Sequence, residues 1–357
     1  MADVQGLLAG VQRMFMPFSG WVGELRHART LRADVIAGIT VALVLVPQSM
    51  AYAQLAGLPP YIGLYASFIP VMVAAFMGSS RQLATGPVAV VSLMTAAALE
   101  PLAGGNMELY LALAALLAIM VGVFQMLLGM FRLGVLVDFL SHPVVVGFTN
   151  GAAIIIATSQ LSKLFGVTVE KSEHHYETVW RVIVAAGQDT HMLTLLMGIF
   201  ALAIMILMKK YTPKIPNVLT AVVVTTVVSW FFGFQAAGGK VVGEIPEGLP
   251  GITLPELDMQ LVLQMVTAAV TISLIGFMEA IAIAKAMAAQ TRQRLDTNQE
   301  LVGQGLSNIT SGLFGAYPVS GSFSRSAVNI AAGAKTGFSS VVTGGVVAIT
   351  LLFLTPL

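Results

Sequence analysis

Ala84-Thr85-Gly86-Pro87 and, much later, Tyr317-Pro318-Val319-Ser320-Gly321-Ser322 each open an apolar run that is short for a membrane span, at 84–99 and 324–333. A spanning helix needs about 20 mostly apolar residues. The two interrupted runs have corresponding surroundings. Phe76-Met77-Gly78 leads through Thr85-Gly86-Pro87-Val88 into the first, and Leu313-Phe314-Gly315 leads through Ser322-Phe323-Ser324-Arg325 into the second. Aligning Gly78 with Gly315 sets Val88 opposite Arg325. The two runs lie an odd number of spans apart, so the repeats have inverted topology. Interrupted helices at matching positions of two inverted halves point to a transporter's substrate site. A half-helix that begins at the midplane leaves unpaired N–H groups and the positive end of its dipole facing a cavity. Two such ends facing each other make an anion site.

The rest of the chain agrees with a membrane setting. Of its 357 residues 57% are hydrophobic and 10% charged, and the mean hydropathy is +0.86; soluble domains carry about 25% charged residues. The first apolar run, Val35 to Leu58, is too long for a signal peptide. Spans are expected near 35–56, 61–78, 84–99, 109–131, 139–165, 191–208, 216–233, 260–288, 299–315, 324–333 and 337–355. The stretch from His174 to Gly187 is amphipathic, with Trp180, and is expected to lie in the interface. A net charge of +1 gives no footprint for nucleic acid. The absence of cysteine excludes disulfides and thiolate chemistry.

Charge sets the expected orientation. Arg13, Arg26, Arg29, Arg32, Arg81, Arg132, Lys209, Lys210, Lys214, Lys285, Arg292, Arg294 and Lys335 fall on one side, the cytoplasmic one, with the N-terminus. Glu100, Glu108, Glu170, Glu173, Glu177, Asp189, Glu244, Glu247, Glu256 and Asp258 fall on the other, with the basic Lys163, Lys171, Arg181 and Lys240. The expected organisation is a cytoplasmic segment 1–33, a first repeat 34–235 and an incomplete second repeat 236–357. The chain stops in apolar sequence, Leu351 to Leu357, which suggests a truncation.

Two full charges are expected deep in spans, Glu279 and Arg325. Each costs roughly 2.5–3.5 kcal/mol at a helix centre, so each must pair, line a wet cavity or act. Arg325 adds positive charge to an already positive helix end, which makes sense for an anionic ligand, and Ser322, Ser324 and Ser326 add hydroxyls there. Glu279 is a proton carrier, a cation ligand or the counter-ion of Arg325. Bringing a dianion into a negative-inside cell costs about 4.6 kcal/mol per 100 mV, so accumulation needs cotransported cations. Gln48 and Tyr52 follow Pro47 on one helix face and could complete a polar wall. His142 precedes Pro143 and could titrate. His174-His175 lacks a third ligand for a metal. Asn308-Ile309-Thr310 matches a glycosylation pattern but falls in a span, and no nucleophile–base pair for an intramembrane enzyme is evident.

The run Val46-Pro47-Gln48-Ser49-Met50-Ala51-Tyr52-Ala53-Gln54-Leu55-Ala56-Gly57-Leu58-Pro59-Pro60-Tyr61-Ile62-Gly63-Leu64-Tyr65 resembles the signature of the SulP (sulfate permease) anion transporters. That group includes bacterial sulfate, bicarbonate and dicarboxylate carriers and animal relatives such as prestin and pendrin. Gly86-Pro87-Val88-Ala89-Val90-Val91-Ser92-Leu93-Met94, Asn298-Gln299-Glu300-Leu301 and Ser322-Phe323-Ser324-Arg325-Ser326 extend the resemblance, which runs from about Leu31 to Leu357. It implies an all-α polytopic fold of fourteen segments in two inverted seven-segment repeats, divided into core and gate domains. About eleven of those segments match this chain; the last three and a cytoplasmic STAS domain do not. It also implies an anion held between the third and tenth segments. Family pocket positions fall on Gln48, Tyr52, Val88, Ser324 and Arg325, and a coupling carboxylate falls on Glu279. The backbone at Gly86, Val88, Ala89 and Phe323 completes the expected anion site.

The function expected from residues and resemblance together is proton-coupled sulfate uptake by alternating access. Sodium-coupled bicarbonate transport, dicarboxylate transport and a passive anion channel are the alternatives. The implied partners are sulfate or bicarbonate, H+ or Na+, the lipid bilayer of the inner (plasma) membrane and a second copy of the chain. No enzyme activity, nucleic acid, metal or other cofactor is expected.

Overall fold

The computed structural model describes residues 16–135, 142–169, 172, 174–212, 217–241, 246, 248–255 and 258–354. Arg13, Glu170, Lys171, Glu173, Lys214, Glu244, Glu247 and Glu256, which entered the charge reading, lie outside the described residues, as does the His142 side chain. The chain divides into two compact units, one of residues 1–145 with 244–357 and the other of 146–243.

In the first unit α1 runs Ala28–Leu55, α2 Pro60–Tyr65, α3 Ile69–Met77, β1 Ala84–Gly86, α4 Ala89–Ala103 and α5 Met107–Met130. The expected span 61–78 breaks at Ala66–Phe68, because Pro70 can open a helix but cannot continue one. α6 runs His142–Ser159, belonging to the second unit from Val146 on, and that unit continues with α7 Leu161–Phe165, α8 His175–Asp189, α9 Met192–Tyr211 and α10 Asn217–Phe231. The expected single span 139–165 is divided at Gln160, which is not helical and starts α7 instead. The expected amphipathic stretch is α8, whose Trp180 is exposed. His191 caps α9 by accepting from the Thr194 amide at 3.3 Å. The first unit resumes with α11 Met259–Thr291, α12 Thr297–Leu313, β2 Ser320–Ser322, α13 Phe323–Ala331 and α14 Phe338–Ile349, which ends in a π turn at Thr350–Leu354.

Among the described residues five stretches are long and apolar enough to cross a membrane: Ala28–Leu55, Pro60–Met77, Met107–Met130, Met192–Tyr211 and Met259–Thr291. The core of the first unit forms around α5. Leu113, Leu117 and Val121 pack with Ile62, Val91, Leu99 and Ile272. Against another face of α5 lies α12, in close backbone contact. A Cβ on Gly305 would fall 2.6 Å from the Met126 amide nitrogen and 2.7 Å from the Gly122 carbonyl oxygen. Glycine there lets two helix backbones touch, the small-residue packing of membrane bundles.

β1 and β2 pair antiparallel, with Ala84 opposite Ser322, Thr85 opposite Gly321 and Gly86 opposite Ser320. This ladder obeys the inverted repeat. The offset that carries Gly78 onto Gly315 carries Ala84 onto Gly321 and Thr85 onto Ser322. It therefore turns the pair Ala84–Ser322 into the pair Gly321–Thr85, which is the next rung. The same offset lays Pro60–Met77 over α12.

Candidate functional site

Each strand of the ladder feeds directly into a half-helix, β1 into α4 through Pro87-Val88 and β2 into α13 at Phe323. Because the strands are antiparallel, the helices depart in opposite directions from a ladder about 10 Å long. Pro87 has no N–H to donate, and Val88, the N-cap of α4, has no side-chain oxygen to cap with. The first amides of α4 are thus left without intrahelical acceptors. α13 is capped by Ser322, whose Oγ accepts from the Arg325 amide at 3.5 Å. The Ser324 hydroxyl lies 3.4 Å from that of Ser322.

Arg325 is fully buried, with 0% exposure. Its Nη1 donates to Gln48 Oε1 at 3.1 Å, across from α1. Its Nε and Nη2 have no hydrogen-bond partner. An unsatisfied buried guanidinium is expensive, and this one lies beside two helix N-termini, where the field favours negative charge. Gly86 adjoins it: a Cβ there would sit 3.3 Å from Nη2. Of the expected site residues, Gln48 and Gly86 thus lie against the Arg325 guanidinium, while Ser324, beside Arg325 in sequence, is exposed. Val88 is buried, Ala89 and Tyr52 are half-buried, and the Phe323 side chain points away, 62% exposed.

Glu279 lies on α11, which docks on β2 through a bond from Ser320 Oγ to Gly276 O at 2.6 Å. Its Oε2 is buried and unpartnered. Among the described residues it forms no ion pair with Arg325, unlike Arg81 and Glu24, which pair at 2.8 Å. Glu279 as direct counter-ion of Arg325 is thus not what the geometry provides.

The expectation of two deep charges needs correcting, since Asp34 and Glu300 are also buried, with 0% and 2% exposure. Both sit near helix ends, where hydropathy does not mark them as deep. Backbone donors make their burial tolerable. Asp34 accepts from the Lys335 and Thr336 amides at 2.6 and 3.1 Å and from Thr336 Oγ1 at 2.6 Å. Glu300 accepts from the Ser79 and Ser80 amides, both at 2.8 Å.

Ser326, expected to offer its hydroxyl at the Arg325 helix end, instead accepts from the Ala84 amide at 2.9 Å and braces the ladder. Sequence reasoning missed the buried hydroxyl pair of Ser92 and Tyr317 at 3.1 Å. Asn308, seen only as an idle glycosylation pattern, is buried and bonded to both backbone groups of Val319. Among the described residues no cluster of three or more metal-ligating side chains occurs, and His175 instead meets Thr158 Oγ1 at 2.7 Å.

Known proteins resemble this chain in sequence and fold. Residues 31–357 match the sulfate permease family. A probable sulfate transporter 4.2 of Arabidopsis thaliana is 43% identical over 345 residues, which cover 94% of this chain and 50% of the relative. A probable sulfate transporter of Mycobacterium tuberculosis is 37% identical over 95% of this chain and 61% of its own length. This chain therefore spans about half the length of the first of these relatives. Among solved structures, SLC26A9 superposes with a TM-score of 0.91 at 25% identity, covering 99% of this chain and 58% of that one. The transmembrane domain of the cyanobacterial bicarbonate transporter BicA superposes with a TM-score of 0.82 at 26% identity, covering 92% and 84%. The all-α, inverted-repeat membrane fold expected from the sequence is the fold observed, and the chain belongs to the sulfate permease family.

Proposed function

We propose that this chain carries the anion path of a secondary active transporter that takes up sulfate with protons by alternating access. The observation that carries the reading is the buried Arg325 guanidinium, with two unpartnered nitrogens, beside the uncapped start of α4 and the start of α13. Together they supply a fixed positive charge, a hydroxyl at Ser324 and backbone N–H groups, which suit an oxyanion. Gln48 and Tyr52 shape the α1 wall, and Gly86, Val88, Ala89 and Phe323 contribute backbone. The names of the relatives favour sulfate. The likeness to a bicarbonate transporter favours bicarbonate as the second reading, with sodium as its coupling ion.

Glu279 is the coupling residue in this reading. Its buried, unpartnered oxygen on the helix that holds β2 can take up a proton as the anion enters. The repeats run 34–235 and 236–357, with residues 1–33 and the N-terminus in the cytoplasm. Displacement of radiolabelled sulfate from the purified full-length protein by bicarbonate, succinate and fumarate tests the substrate. Sulfate should displace its own label with saturation and the carboxylates should not. Saturable binding of bicarbonate without sulfate competition would replace this reading with the second.

A further inference from the structure

α12 carries Glu300, Gln304 and Asn308 at four-residue spacing, on one face. All three are exposed by 2% or less. A file of polar side chains is costly inside a membrane protein unless it is matched, and here each makes hydrogen bonds to backbone or side chain leading into the anion site. Glu300 holds the Ser79 and Ser80 amides just before β1. Gln304 Nε2 donates to Thr85 Oγ1 on β1 at 2.9 Å and to Glu300 Oε1 at 3.1 Å. Gln304 Oε1 has no partner, so those two donated bonds alone fix the amide.

Asn308 grips the residue before β2 like one rung of a sheet. The Val319 amide donates to its Oδ1 at 2.7 Å, and its Nδ2 donates to Val319 O at 3.0 Å. The same Nδ2 lies 3.0 Å from Gln125 Oε1, and Gln125 Nε2 donates to Ser273 O of α11 at 3.1 Å. Consecutive turns of one helix thus hold both strands. The repeat offset brings Gly63, Ser67 and Val71 onto these three positions, so the first half has no equivalent file, and the ladder hangs from the second half alone.

We propose that Gln304 and Asn308 are positioning residues which set the spacing between the two half-helix N-termini and thereby select the oxyanion by size. The proposal rests on the anion-site reading above. Its test uses Gln304→Met, close in volume to the native residue, and Asn308→Leu, which keeps the branched skeleton, in the full-length protein. Ser307→Ala is the control, since the Ser307 hydroxyl donates to Pro70 O on α3 and not to either strand. Two readouts are taken: displacement of labelled sulfate by thiosulfate and molybdate, and amide hydrogen exchange at 84–86 and 319–322 without anion.

Sulfate affinity should fall about tenfold in each variant, with one buried hydrogen-bonding group lost, and the preference for sulfate over molybdate should flatten. Exchange should rise at 84–86 in Gln304→Met and at 319–322 in Asn308→Leu, with the control unchanged in both readouts. If Asn308→Leu does not fold, Asn308→Asp, which keeps an oxygen toward the Val319 amide, should show the same shift in smaller measure. Unchanged selectivity and exchange would overturn the proposal. So would an affinity loss equal for all anions that tracks only the loss of folded protein. Wild-type protein that binds no oxyanion, with exchange still responding as stated, would sink the anion-site reading and the size selection together while upholding the strand positioning.

Discussion

Replacing Gly86 with alanine should weaken anion binding by tenfold or more while the chain still folds. Gly86 has φ +146°, a conformation nearly closed to residues with a Cβ, and holding alanine there costs about 1–3 kcal/mol. The new methyl would also press on the guanidinium that the anion needs, at 3.3 Å from Arg325 Nη2, with Leu45 Cδ1 at 3.6 Å and Val71 Cγ2 at 3.7 Å closing off escape. Moving Nη2 forfeits part of a charge-assisted bond worth about 1.5–3 kcal/mol. If half of the combined cost falls on the bound state, affinity drops about tenfold to a hundredfold. The remainder is within the 5–15 kcal/mol that typically holds a fold. Labelled sulfate binding and thermal unfolding, measured on the same preparation, separate the two effects. Gly345→Ala serves as the counterpart: no atom lies within 4 Å of its Cβ position inside α14, so it should leave binding alone and stabilise by about 0.5–1 kcal/mol. Binding by Gly86→Ala as tight as the wild type would refute the placement of the anion against this strand.

Other perturbations read other parts of the structure. Arg325→Gln should abolish measurable sulfate binding yet raise the melting temperature, because it removes a buried charge that has no counter-ion in contact; a lowered melting temperature would assign Arg325 a structural role instead. Asp34→Asn leaves a single oxygen where three donors converge and should destabilise by about 1–3 kcal/mol, checked by denaturation of the purified protein. Glu24→Ala breaks the partly exposed bridge to Arg81 and should cost less than about 1 kcal/mol, diminishing further in high salt.

The sequence could announce the half-helices because Pro87, Gly86 and the serines around Arg325 interrupt apolar runs, and interruption is visible along one chain. The three-residue strands were not legible. Ala84–Gly86 and Ser320–Ser322 are too short for an alternating pattern, and their pairing spans more than two hundred residues. Gln48 and Tyr52 were found as a helical face, but only the fold brings Gln48 to the guanidinium. Asn308 and Glu300 escaped for a different reason. A polar residue on a helix reads the same whether it meets water or a strand's backbone, and α12 is the least apolar of the long segments near the site. Asp34 escaped likewise, since an acid near a helix start is ordinarily solvated.

Radiolabelled sulfate uptake into proteoliposomes holding the full-length protein, with and without an acid-outside gradient, tests the central claim most directly. The account predicts accumulation driven by the gradient in the wild type, lost in Glu279→Gln while sulfate binding survives. Gradient-driven accumulation that persists undiminished in Glu279→Gln would contradict it.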